Sequence, residues 1–237
     1  MIGVTIDVRD LLRLANDTWP GFERQVPFAI SYSLLDVARD VRADLIAEMD
    51  AKFDRPTPWV KRGMLVQAPK KDDVKRGVLE ARVYANDGRD KGMGTTTAQI
   101  LVPHLAGGGR RMKRSERKFG SYVVPGSGAT LDNFGNIRNA ELVQALSALG
   151  KASGSGYEAD RTENSKKRNK RLRTFFQRGN VIFERKGKTV KPVLVMIGEP
   201  NYQPVLDWSG RASAIVAANY RGHFLKRMEG AVATARP

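Results

Sequence analysis

The chain has no cysteine and only two histidines, His104 and His223, in 237 residues. Without cysteine there is no disulfide framework, no thiolate zinc site and no cysteine nucleophile. A site needing two imidazoles would have to join these two distant positions, which argues against metallo-hydrolase chemistry. Acid is scarce relative to base: 25 Asp and Glu stand against 41 Lys and Arg, a net charge of +16. Such an excess calls for a polyanion, an acidic partner surface or neighbouring subunits. No apolar run approaches the roughly 20 residues that cross a bilayer. The opening MIGVTIDVRD lacks the basic start and apolar block of a signal peptide. The expectation is a chain of the cytoplasm, or one assembled there, with no membrane contact. No G-x-G-x-x-G follows a strand-like run, and Gly107–Gly109 lacks the Lys-Ser/Thr ending of a phosphate-binding loop. No nucleotide or other cofactor is expected.

What is present is enough for a core: 41% of residues are apolar and 28% charged. The positive charge is unevenly spread. RRMKRSERK, from Arg110 to Lys118, carries six basic residues and one acid. From Arg161 to Arg178 there are eight basic residues against Glu163. Together these stretches hold 12 of the 16 excess charges. Each follows a glycine-rich segment, HLAGGG or GKASGSGYEAD, so neither reads as starting inside a packed element. A single such run is as readily a solvated face. Two in one chain favour arms that order against something acidic or within an assembly. The arms are expected at approximately 88–125 and 151–175. The residues expected to touch a neighbouring subunit or DNA are Arg110, Arg111, Lys113 and Arg114 in the first, and Lys166, Lys167, Arg168, Lys170, Arg171 and Arg173 in the second.

Periodicity supplies the elements. Asp7 to Asn16 has helical spacing. From Glu23 to Phe53 a stripe of Val26, Ala29, Ile30, Ser33, Leu34, Val37, Val41, Leu45, Met49 and Phe53 predicts a long amphipathic helix, ended by Pro56 and Pro58. Met64–Ala68 and Val78–Ala85 read as a β-hairpin. Thr97 to Val102 fits either a strand or a helix capped by threonine. SYVVPGSGATLDNFGN is turn-rich, and Asn139 to Gly150 reads as a helix with an Asn cap and a terminal Gly. Val181–Lys186, Gly187 and Lys191–Ile197 form a second hairpin whose second strand is apolar enough to be central. Ser209 to Ala233 is a closing helix. The fold class is α+β, a single domain over 1–237. Its long helix and C-terminal helix pack on one antiparallel β-sheet, with extended basic arms.

The search for chemistry yields little. Asp36, Asp40, Asp44 and Glu48 share a face of the long helix and read as its wet side rather than as a metal site. His104 reads as a structural loop histidine, and His223 as a surface or interface residue. Trp59 reads as the anchor of a loop on the core, with base stacking as its other role. No catalytic residues and no metal ligands are expected, and the chain is read as not an enzyme.

Several stretches follow one another in a familiar order. They are FDRPTPWVKRGM, ILVPHLAGGGRR, LDNFGNIRNAELVQALSALG and KGKTVKPVLVMIGEPNYQPVLDW, then the closing helix. The order resembles the minor tail and tail-completion proteins of tailed bacteriophages, in particular those grouped with phage minor tail protein Z. Pro56, Pro58 and Trp59, then Leu101, His104, Gly107 and Gly108, then Asn133, Gly135 and Asn136 carry most of it. The resemblance implies a structural virion protein without enzymatic activity, in the tail or at the head-tail junction (neck), built in the host cytoplasm as a homo-oligomeric ring. It also implies other neck, portal or tail proteins as partners and nonspecific contact with packaged DNA. Both basic arms are long for a minimal tail-completion domain. The alternative is a sequence-nonspecific nucleic-acid-binding protein in which the arms grip phosphates and Phe175, Phe176 or Trp59 stack on bases.

Overall fold

A computed structural model describes residues 3–5, 25–70, 79–88, 95–152, 162–164, 167 and 174–234. The chain is α+β, as expected, but it divides into two compact units where the sequence reads as one domain. Unit 1 comprises Met1–Lys91, Thr96–Ala106 and Pro204–Pro237; unit 2 comprises Gly92–Thr95 and Gly107–Gln203. Each has its own sheet and its own core. The single sheet expected from sequence is therefore two sheets. The short strands Met64–Gln67 and Arg82–Ala85 already spend their apolar side chains in the core of unit 1, and the later strands find their own cover.

In unit 1, β1 (Gly3–Thr5) is followed by α1 (Val26–Lys52), whose first turn holds Pro27, where a missing N–H costs nothing. Its buried face is Val26, Ala29, Ile30, Ser33, Leu34, Val37, Ala38, Val41, Leu45, Glu48 and Met49. That is the stripe read from spacing, with Ala38 and Glu48 added. α2 (Pro58–Arg62) is capped by Thr57, whose Oγ1 accepts from the Val60 N–H at 3.4 Å. Trp59 does not anchor this turn. It is 48% exposed, and the neighbouring Val60 is the buried side chain, because in so short a helix only one position points inward. β2 (Met64–Gln67) and β3 (Arg82–Ala85) form the expected antiparallel hairpin, pairing Met64 with Ala85, and the sheet order is β1-β3-β2.

α3 (Thr97–Ala106) settles the strand-or-helix ambiguity in favour of the helix. Thr96 Oγ1 accepts from the Gln99 N–H at 3.2 Å and Gln99 Oε1 accepts from the Thr96 N–H at 3.3 Å, a reciprocal cap. α6 (Trp208–Thr234) begins where Asp207 Oδ1 accepts from the Gly210 N–H at 2.9 Å. Its contacts with α1 run in reverse order, so the two 27-residue helices are antiparallel. Leu34, Leu45, Met49, Met64, Leu101, Trp208 and Met228 lie in the core they share.

In unit 2, α4 (Arg114–Phe119) ends at Gly120, whose φ of +78° is left-handed and favours glycine. β4 (Tyr122–Pro125) is a strand where the sequence reads as turn-rich. In α5 (Asn139–Ala148) the N-cap position is held by Arg138 rather than by Asn139, with no side-chain cap hydrogen bond. β5 (Thr174–Arg178), β6 (Val181–Lys186) and β7 (Thr189–Ile197) complete an antiparallel sheet of order β4-β7-β6-β5. As its apolar sequence predicts, β7 is internal. Phe119, Ala145, Leu146, Phe175, Ile182, Val193 and Leu194 form the core.

The first expected arm, 88–125, is not an arm: Leu101, Glu116, Phe119 and Tyr122 are all buried. Of the second, 151–175, the end is the start of β5, while most of it, like the expected helix Asp7–Asn16, lies outside the described residues. Among the described residues no helix is long and apolar enough to cross a membrane.

Candidate functional site

Unit 2 holds 20 of the basic residues and eight of the acidic ones, so 12 of the 16 excess charges belong to it. Of the ten expected interaction residues, Arg111, Lys113 and Arg114 are exposed in the turn and first residue before and in α4, and Lys167 is exposed in the second run. Lys166, Arg168, Lys170, Arg171 and Arg173 lie outside the described residues.

Arg110 is a different case, because its guanidinium is engaged within unit 2. Its two terminal nitrogens meet the Glu116 carboxylate oxygens at 2.5 and 2.6 Å, and its Nε donates to the Tyr202 hydroxyl at 3.2 Å. Its guanidinium also stacks 5.0 Å from the Tyr122 ring centroid. Glu116, 1% exposed, further accepts the Lys113 N–H at 2.7 Å and the Val123 N–H at 3.4 Å. Burial opposes ionisation of this carboxyl, but Arg110 and the backbone donors outweigh it and hold the group below the usual carboxylate range. The same hydrogen bonds raise the guanidinium further above its ordinary value. The single acid within the first basic run is thus its structural anchor.

The outward face of the second sheet brings together residues the sequence reading treats separately. Antiparallel register pairs Thr174 with Arg185, Phe176 with Phe183 and Arg178 with Val181 across the Gly179-Asn180 turn. Phe175, the other candidate for stacking, lies on the opposite face and is 5% exposed, in the core. Phe176 and Phe183 stack with ring centroids 5.6 Å apart at 19°, and the Arg185 guanidinium lies 5.5 Å from the Phe176 centroid. Both rings are half-buried, while Arg178 and Arg185 are exposed. Across β6 and β7 the same face carries Val181, Val190, Pro192 and Val195. None of these register positions is Asp or Glu. Phe183 and Arg185 are not singled out by the sequence reading, which counts Arg178 only as the end of the second basic run. The signal was there: TFFQR and VIFERK flank a two-residue turn, and folding them together places every second residue in register.

In unit 1 the carboxylate row is not a wet face. Arg227 donates to Asp36 at 2.7 Å, His223 Nε2 lies 2.7 Å from Asp40, and Arg211 reaches Asp44 at 2.6 and 2.7 Å. Glu48 accepts the Asp207 N–H at 3.3 Å. The row is a polar seam against α6, which a helix-wheel reading of α1 alone does not show. Burial raises the Asp40 carboxyl, but hydrogen bonds from His223 and Asn219 prevail and lower it. His104 is on α3, its ring edge-on to Phe53 at 4.7 Å, and burial lowers its pKa. Beside the seam, Phe28 and Tyr32, each 55% exposed, border a groove of about 610 Å³ that also includes Asp36, Arg39, His223 and Arg227. Among the described residues no group of three or more His, Asp or Glu is placed to hold a metal ion.

The turn behind the resemblance, at Asn133, Gly135 and Asn136, has a local account. Asp132 Oδ1 accepts the Phe134 and Asn136 N–H groups, each at 2.9 Å, and Gly135 takes a φ of +79°. Comparison with protein-family models, with curated proteins and with solved structures finds no match for this chain.

Proposed function

We propose that the chain is a non-catalytic structural subunit of a tailed-bacteriophage particle, at the head-tail junction or in the tail, which assembles with copies of itself into a ring. The order of its sequence motifs supports this reading. The observation that carries it furthest is the concentration of 12 excess charges in unit 2. An isolated unit so charged repels itself and its copies. Neighbouring acidic surfaces or packaged DNA relieve that repulsion. Exposed Phe28, Tyr32 and Trp59 are the apolar positions such contacts would cover.

Sedimentation at low and high salt, with and without a short DNA duplex, tests it. A closed oligomer that forms without DNA, and forms more readily as salt screens the repulsion between copies, is the expected result. A monomer that grows only with DNA, and releases it steeply as salt rises, overturns it. That outcome supports the second reading, a sequence-nonspecific nucleic-acid binder, which the aromatic and arginine side chains on the open face of the second sheet favour.

A further inference from the structure

We propose that the outward face of β5 and β6 is a platform for a single strand of nucleic acid, with Phe176 and Phe183 stacking on unpaired bases and Arg178 and Arg185 holding the flanking phosphates. The inference rests on the polyanion contact in the reading above and adds which surface makes it and which form of nucleic acid it takes.

The geometry is specific. On one face the order along the strand direction is Arg185, then the Phe176–Phe183 pair, then Arg178, fixed by the register Thr174 to Arg185, Phe176 to Phe183 and Arg178 to Val181. Successive same-face rows lie roughly 6.6 Å apart, two residues at about 3.3 Å each. The backbone rows of the two arginines are therefore about 13 Å apart, with the row of the stacked rings between them. A cation, an aromatic surface and a second cation at this spacing match a backbone that alternates charge and base. None of the register positions on the β5–β6 part of this face is a carboxylate. The other face of the sheet shows the contrast: it buries Phe175, Ile182 and Leu194 as ordinary core.

Two further features decide between a single strand and a duplex. Half-buried rings on a sheet can stack only on a base whose own face is open, and a duplex keeps its base faces covered by neighbours. The rings are half-buried on a sheet face continued by the apolar residues Val181, Pro192 and Val195, so they do not project far enough to enter a groove and read base edges. Binding is therefore expected to be tolerant of sequence and sensitive to strandedness. Arg185 already stacks on Phe176, and a guanidinium plane is itself a surface on which a base can lie.

The test is fluorescence anisotropy with the full chain, a labelled oligothymidylate of about 16 nucleotides and a duplex of the same length. The double variant Phe176→Leu, Phe183→Leu keeps apolar cover but removes the rings. Its affinity for the single strand is expected to fall about 10-fold or more, since a stacked base is worth about 5- to 150-fold, with duplex affinity within about twofold. If that variant loses its cooperative thermal transition, Arg178→Gln with Arg185→Gln, at exposed positions, serves instead. It is expected to weaken single-strand binding and flatten its salt slope by roughly two charges. Unchanged single-strand affinity in a folded variant overturns the platform while leaving duplex contact, and so the broader reading, intact. Absence of binding to either probe overturns the platform and the nucleic-acid contact on which it rests, while the ring is tested separately by sedimentation without DNA. A variant that alters self-association in sedimentation but not binding identifies the face as a contact between copies and overturns the proposal.

Discussion

Glu116 shows how one residue can reverse the meaning of its surroundings. Six basic side chains around one acid look like an interaction arm, yet the acid is 1% exposed and paired at both oxygens by Arg110. Removing one partner of a buried pair leaves an uncompensated charge, so Glu116→Ala is expected to cost about 3–5 kcal/mol in chemical denaturation. The sign with pH follows from the lowered carboxyl. The pair stabilises the fold above the carboxyl's unfolded pKa, about 4.3, and that contribution is lost as pH falls through the lower folded value. The gap in melting temperature between the wild type and Glu116→Gln should therefore narrow on acidification below about pH 4, and a constant gap would refute the pairing. A lone acid in a basic run is legible as unusual. That it turns inward is not, because its partner Arg110 is itself held by Tyr122 and Tyr202, which lie outside the run.

At the scale of elements, α1 and α6 carry unit 1. Leu45 is 1% exposed on the stripe that the sequence predicts. Leu45→Ala is expected to cost about 2–5 kcal/mol, and Leu45→Asp to abolish cooperative unfolding, because a buried charge finds no partner there. Arg211→Ala, on the polar seam, should shift the midpoint far less, since the Arg211 side chain is 41% exposed and its pair with Asp44 is screened. If Arg211→Ala proved as damaging as Leu45→Ala in the same urea titration, the seam and not the apolar stripe would hold the helices together. The apolar stripe was legible because burial repeats every three to four residues. The seam was not, because opposite charges facing each other across two helices look, on either helix alone, like solvated surface.

For the whole molecule, the division into two units makes the cores separable in measurement. Leu194 is fully buried in the core of unit 2 and Leu45 in that of unit 1. In calorimetry, Leu194→Ala is expected to lower the transition of the unit that contains β7, and Leu45→Ala that of the unit that contains α1. A single transition displaced equally by both would argue for one cooperative domain. The charge follows the same division, since the basic excess of the chain is mostly that of unit 2. An assembly or a nucleic acid that neutralises it should raise the unit 2 transition preferentially.

Sequence alone determined the long helices, the two hairpins and the basic character, because hydrophobic period, proline stops and charge counts are properties of neighbours along the chain. It also drew attention to Phe176 as a stacking residue. Only the tertiary structure decided that Phe175 is core while Phe176 shares a face with Phe183, Arg178 and Arg185, and that Asp36, Asp40 and Asp44 face α6. These are choices between two faces of a strand or a helix. Such a choice is made by whatever packs against the element, and that partner comes from far along the chain.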